Sequence, residues 1–114
     1  MKYIMNADDF GRDSGRTEAI DICMRQGLLQ RASLMVNMEC TEEAAALAKS
    51  GAYMDRVCFH LNLTDGLPLT NAIRSTAICD SNGKIIRANQ KTVQRRCFSR
   101  GAISAIRQEC EAQM

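Results

Sequence analysis

Lys2-Tyr3-Ile4-Met5-Asn6-Ala7-Asp8-Asp9-Phe10-Gly11 carries a continuous apolar run, Tyr3-Ile4-Met5, and closes on an acidic pair followed by Phe-Gly. The run predicts a short buried strand over residues 2–7, ending just before the aspartates. Working outward, residues 16–26 have helical spacing, with Ala19, Ile20, Cys23 and Met24 as the expected inward stripe and Gly27 as a stop. Ala32-Ser33-Leu34-Met35-Val36 reads as a second strand. Thr41 is placed as an N-cap, with Glu42 and Glu43 where carboxylates favour the positive end of a helix. Ala44 to Ala48 propagates that helix and Gly51 ends it. Residues 56–62 form the third strand, so strands and helices alternate. The fold class is α/β, with a parallel βαβαβ unit. Beyond Gly66 the pattern loosens to a loop around Pro68. A small hairpin is expected at Asn82-Gly83, then a last helix over 101–114 with Ile103, Ile106, Cys110 and Met114 on one face.

Length and composition bound the rest. A chain of 114 residues makes one domain, and its 46% hydrophobic and 25% charged residues are ordinary for a globular protein. Charge is uneven. Residues 84–114 hold seven Lys/Arg against two Asp/Glu, while residues 1–83 hold eight against eleven. The basic positions Lys84, Arg87, Lys91, Arg95, Arg96, Arg100 and Arg107 are dispersed, with only Phe98 aromatic among them. That is a solvated face and not a nucleic-acid platform. Six cysteines lack close Cys-x-x-Cys spacing, and the acidic pair comes too early for a signal peptide. Reduced thiols and a cytoplasmic location are expected. No apolar run reaches the ~20 residues that cross a bilayer, so no membrane association is expected.

Two stretches carry candidate chemistry. Asp8-Asp9 stands at the C-terminal end of strand one and His60 at that of strand three. In a right-handed βαβ unit these ends share one rim of the sheet, where α/β folds place their sites. Carboxylate and imidazole suit a borderline divalent cation, and a second carboxylate kept off the metal suits a general base. Successive strand residues face opposite ways. Both aspartates can serve one site only if the backbone turns there, as Phe10-Gly11 would permit.

The wording of these stretches resembles the YdjC-like carbohydrate deacetylases, the family that includes chitooligosaccharide deacetylase. Asn6-Ala7-Asp8-Asp9-Phe10-Gly11 matches, and so do Arg25-Gln26-Gly27-Leu28-Leu29 with Ala32 to Asn37, and Glu43 to Ala48. His60-Leu61-Asn62-Leu63-Thr64-Asp65-Gly66-Leu67-Pro68-Leu69 is the most specific match, and Glu109 to Gln113 extends it. The resemblance implies a distorted (β/α) barrel, a divalent metal ion (magnesium or zinc), and hydrolytic removal of acetyl groups from N-acetylated sugars or oligosaccharides. By matching position Asp9 and His60 would be metal ligands and Asp8 the base that deprotonates metal-bound water, with the two aspartate roles open to exchange. The runner-up expectation is a non-catalytic homologue that binds sugar or a protein partner.

Departures from that pattern matter. A barrel needs about 250 residues, so residues 1–114 are expected to be the N-terminal part of such a domain. The family's next strand brings an Asp and a His-x-His element, whereas this chain has one histidine. Asp9 and His60 would leave a metal with two protein ligands. Phe59 stands where a small residue precedes the histidine and is expected to crowd the rim, and Thr17 lies where Asn is frequent. Three parallel strands with open edges predict a homo-oligomer, which sedimentation would check.

Overall fold

The computed structural model describes residues 3–86 and 99–114. Arg87, Lys91, Arg95, Arg96, Cys97 and Phe98, with most of the expected basic face, lie outside them. The chain forms two compact units, one ending at His60 and one beginning at Leu61.

The first unit runs β1 (Asn6–Phe10), α1 (Ser14–Arg25), β2 (Arg31–Met35), α2 (Thr41–Ser50), a single 3-10 turn (Met54–Arg56) and β3 (Val57–His60). Its strands form a parallel sheet in the order β1-β2-β3. The α/β class and the βαβαβ alternation are as expected, although three strands do not close a barrel. Alternation along β2 sets the faces. Ala32 and Leu34 turn to the helices, where Phe10, Ile20, Met24, Ala44, Ala48 and Tyr53 make the core. Arg31, Ser33 and Met35 take the other face.

Strand one is displaced from its expected position. It starts at Asn6 and runs through both aspartates, while Tyr3, Ile4 and Met5 are 75%, 64% and 56% exposed. Ala7 and Phe10 are the residues of this segment that reach the core, and apolar content alone could not say so. The inward line of α1 is also shifted. Thr17, Ile20 and Met24 are buried and Ala19 is exposed. A threonine holds that place because its hydroxyl accepts from the Gly11 amide at 3.2 Å.

Helix ends follow local chemistry. Asp13 caps α1 by accepting from the Arg16 amide at 2.9 Å, and pairs with the Arg16 guanidinium. Gly27 follows in the left-handed region (φ +72). Thr41 is the first residue of α2 and not its cap, its hydroxyl 2.7 Å from the Met35 carbonyl. Between α1 and α2, Asp21 takes both Arg25 (2.8 Å) and the Tyr53 hydroxyl (2.5 Å), and Arg25 also reaches Ser50 at 2.9 Å. Burial pushes the Asp21 carboxyl up, and the bonds from Arg25 and Tyr53 more than offset it, leaving it below the usual range. Burial and the Asp21 carboxylate push the Tyr53 hydroxyl well up.

The second unit holds a short helix α3 (Asn71–Arg74) and α4 (Arg100–Gln113) around Ile73, Ile78, Ile85, Ala102 and Ala105. The Asn82-Gly83 turn brings Cys79 and Ile85 into one antiparallel bridge, with Asp80 and Lys84 joined at 2.8 Å, and no longer hairpin forms among the described residues. On α4 the expected face is corrected in part: Ile106 packs against this core and Cys110 is half-buried, as expected. Ala102, Ala105, Glu109 and Gln113 are buried, whereas Ile103 is 53% and Met114 83% exposed. Two polar residues win that stripe because each has a full set of partners. Glu109 accepts from the Leu69 and Thr70 amides, the Thr70 hydroxyl and Gln113, at 2.8–2.9 Å. Gln113 in turn exchanges hydrogen bonds with the Asn62 backbone at 3.0 and 2.8 Å. Among the described residues no helix is long and apolar enough to cross a membrane, and five cysteines (23, 40, 58, 79 and 110) carry free thiols.

Candidate functional site

The acidic pair sits on a break in strand register. Ala7 lies opposite Ala32 and Phe10 opposite Leu34, so three steps along β1 match two along β2. Asp8 and Asp9 together face Ser33, a two-against-one bulge. Asp9 is the extra residue, with φ +66, a left-handed conformation that aspartate tolerates better than most L-residues. This bulge resolves the alternation problem one residue earlier than Phe10-Gly11 would.

Several bonds fix Asp9 there. Its amide is turned to His60 and donates to Nδ1 at 3.4 Å. Its carbonyl accepts from the Arg12 amide at 3.2 Å, closing a turn in which Gly11 has φ +85. Its carboxylate Oδ2 pairs with Arg12 Nη1 at 2.9 Å, with the two side chains 29% and 17% exposed. Gly11 leaves no room for a side chain. A Cβ there would meet Leu34 Cδ1 at 3.0 Å, Thr41 Cα at 3.2 Å and the Met35 carbonyl at 3.3 Å. The Gly11 carbonyl also takes the Cys40 amide at 3.1 Å, tying the turn to the start of α2.

Asp8 is held separately. Asn6, two residues earlier and so on the same face, donates from Nδ2 to Asp8 Oδ1 at 2.8 Å and to Ser33 Oγ at 2.9 Å. Asp8 is exposed, with a carboxylate open to water. His60 pairs with Met35 at the C-terminal end of β3, on the face away from the helices. Phe59 pairs with Leu34, one residue before His60, and is exposed.

The structure therefore brings Asp9 and His60 together through a backbone amide, with Asp8 beside them on the same rim. Three residues of this rim were not singled out from the sequence: Asn6, Ser33 and Arg12. Period-two spacing could have found Asn6, and the i,i+3 reach across a glycine turn could have found Arg12. As a metal centre the set is incomplete. Among the described residues no three His, Cys, Asp or Glu groups converge on one point. Asp9 already has a guanidinium partner, and His60 Nδ1 already accepts the Asp9 amide. Carboxylate and imidazole are suitable donor types, but these residues alone do not form a closed site for the ion.

The second unit orders the stretch that follows His60. Asn62 Oδ1 accepts from the amides of Thr64 and Asp65, at 3.1 and 3.2 Å, and its Nδ2 donates to the Asp65 carbonyl at 2.9 Å. Glu109 clamps the far end at Leu69 and Thr70. Burial raises the Glu109 carboxyl, but the bonds from Gln113, Leu69 and Thr70 outweigh it and hold the group below the usual glutamate range.

A family model described as YdjC-like protein matches residues 2–114. A carbohydrate deacetylase of Brevibacillus brevis is 39% identical over 93 residues, 82% of this chain and 36% of its own length. One of Clostridium beijerinckii is 36% identical over 86% of this chain and 38% of its own. One of Vibrio cholerae is 35% identical over 90% and 39%. The chain thus spans little more than a third of these relatives' length. Among solved structures, an Enterococcus faecalis V583 protein described as a cellobiose-phosphate cleavage protein superposes with a TM-score of 0.78. The match covers 96% of this chain and 41% of that one at 22% identity, a likeness of fold alone.

Proposed function

This chain belongs to the YdjC-like protein family, and on that premise we propose that it supplies the first rim of a metal-dependent carbohydrate deacetylase acting on N-acetylated sugars. The observation that carries the reading is the bulge at Asp8–Asp9, where a left-handed residue lets two adjacent aspartates lie with His60 at one end of the sheet. Left-handed residues other than glycine are kept where the surroundings over-determine them, and they gather at functional sites. Asp8, exposed and oriented by Asn6, is the proton acceptor in this reading. Asp9 and His60 would hold part of the shell of a divalent ion, which when bound supplies Lewis acidity toward an acetamide carbonyl. In this reading the described residues supply neither the remaining ligands nor the group that protonates the leaving amine.

The test is a chimera that joins residues 1–114 to the remaining part of the Brevibacillus brevis relative, assayed for acetate release from N-acetylated chitooligosaccharides with added magnesium or zinc. Release that falls at least about 100-fold in Asp8→Asn, the low end for loss of a general base, supports the reading. Release unchanged in both Asp8→Asn and Asp9→Asn removes the assignment. A second reading, a non-catalytic sugar- or partner-binding homologue, is favoured by the protein partners that already engage Asp9 and His60. It predicts that the chimera binds the oligosaccharide without releasing acetate.

A further inference from the structure

We propose that Arg12 is a built-in occupant of the cation position at this rim, so that a divalent ion reaches Asp9 only by displacing a guanidinium. The inference rests on reading Asp9 and His60 as ligand donors. Three features carry it. Arg12 Nη1 lies 2.9 Å from Asp9 Oδ2, and at 17% exposure its side chain is more covered than the 29% of its partner. The turn that delivers it is fixed, because Gly11 at φ +85 folds the chain back and the Arg12 amide bonds the Asp9 carbonyl at 3.2 Å. His60 Nδ1 accepts the Asp9 amide at 3.4 Å, so that nitrogen is engaged by the backbone of the same residue. The charge of the carboxylate is thus already compensated, and an incoming ion would meet a fixed positive charge beside its first ligand. A guanidinium keeps its proton throughout the working pH range, so competition is set by ion concentration.

The experiment is calorimetric titration of the whole chain with magnesium alone and with zinc alone. It compares the parent, Arg12→Leu, Arg12→Lys, and Arg12→Leu combined with Asp9→Asn. Only binding abolished by the Asp9 change is scored, which sets aside thiol-bound zinc. The expected result is affinity about tenfold tighter in Arg12→Leu, equivalent to about 1.4 kcal/mol, and within about threefold of the parent in Arg12→Lys. If Arg12→Leu fails to fold by circular dichroism, Arg12→Gln takes its place with the same expectation. Equal Asp9-dependent affinity in the parent and the uncharged variant overturns the role of Arg12 while leaving the metal reading intact. No Asp9-dependent binding in any variant overturns the ligand reading, and the inference falls with it.

Discussion

Gly11→Ala is expected to destabilise the first unit by about 2–3 kcal/mol. A left-handed φ of +85 costs an alanine about 1–2 kcal/mol. The new Cβ would also press on Thr41 Cα at 3.2 Å and the Met35 carbonyl at 3.3 Å, backbone atoms that cannot swing aside as Leu34 Cδ1 can. Overpacking of this sort adds about 1–3 kcal/mol. The reduced freedom of the unfolded chain returns about 0.4–1 kcal/mol. At about 4 °C per kcal/mol for a chain of this size, the melting midpoint should fall by roughly 8–12 °C. Thermal melts by far-ultraviolet circular dichroism measure this, and Gly27→Ala is the control. Gly27 has φ +72 but nothing within 4 Å of the added carbon, so it should lose the conformational part alone. Equal shifts in the two variants, or a Gly11 variant within about 2 °C of the parent, would refute the close approach of the turn to β2 and α2.

Further outcomes follow from the partners of single groups. Asp9→Asn should change stability by no more than about 1 kcal/mol, because asparagine tolerates the left-handed region and the lost ion pair is partly exposed; a larger drop in the urea midpoint would show that the charge is structural. Glu109→Gln should cost about 1–3 kcal/mol, since an amide cannot accept at both oxygens from Leu69, Thr70 and Gln113. The native Glu109 carboxyl lies below its unfolded value, so its contribution is present above about pH 4.5 and is lost as pH falls through the native value. Melting curves between pH 3 and 7 should therefore be flatter on the acid side in the Gln variant, and parallel curves would contradict the clamp. Tyr53→Phe should cost about 1 kcal/mol and raise the Asp21 carboxyl, which chemical-shift titration reads directly, because one of its two stabilising donors is gone.

Much of the first unit is legible in the sequence, for physical reasons that can be named. Ala44 and Ala48 fall on one helical face, Gly27 and Gly51 close their helices, and Ala32 to Met35 alternates across a sheet. What escapes is what pattern cannot carry. Period-two reading assumes one residue per rung, so an extra residue at Asp8–Asp9 is invisible to it, and the apolar run sets the strand start four residues too early. Thr17, Glu109 and Gln113 are polar residues in buried stripes, where composition argues against them and only their hydrogen-bond partners explain them. For the site, Asp8, Asp9 and His60 are readable as residue types at strand ends. The tie between Asp9 and His60 and the intrusion of Arg12 depend on a left-handed φ that no residue name announces.

Two residues on one rung also change what the chain can lose. In a regular strand, removing one residue exchanges the inward and outward faces of everything beyond it. At Asp8–Asp9 the same deletion would erase the surplus and leave Phe10 opposite Leu34, with the core face intact. The first strand thus holds one position where shortening is compatible with folding but removes one of the two adjacent carboxylates. A sequence that kept the sheet while losing the paired carboxylates would bear a gap there.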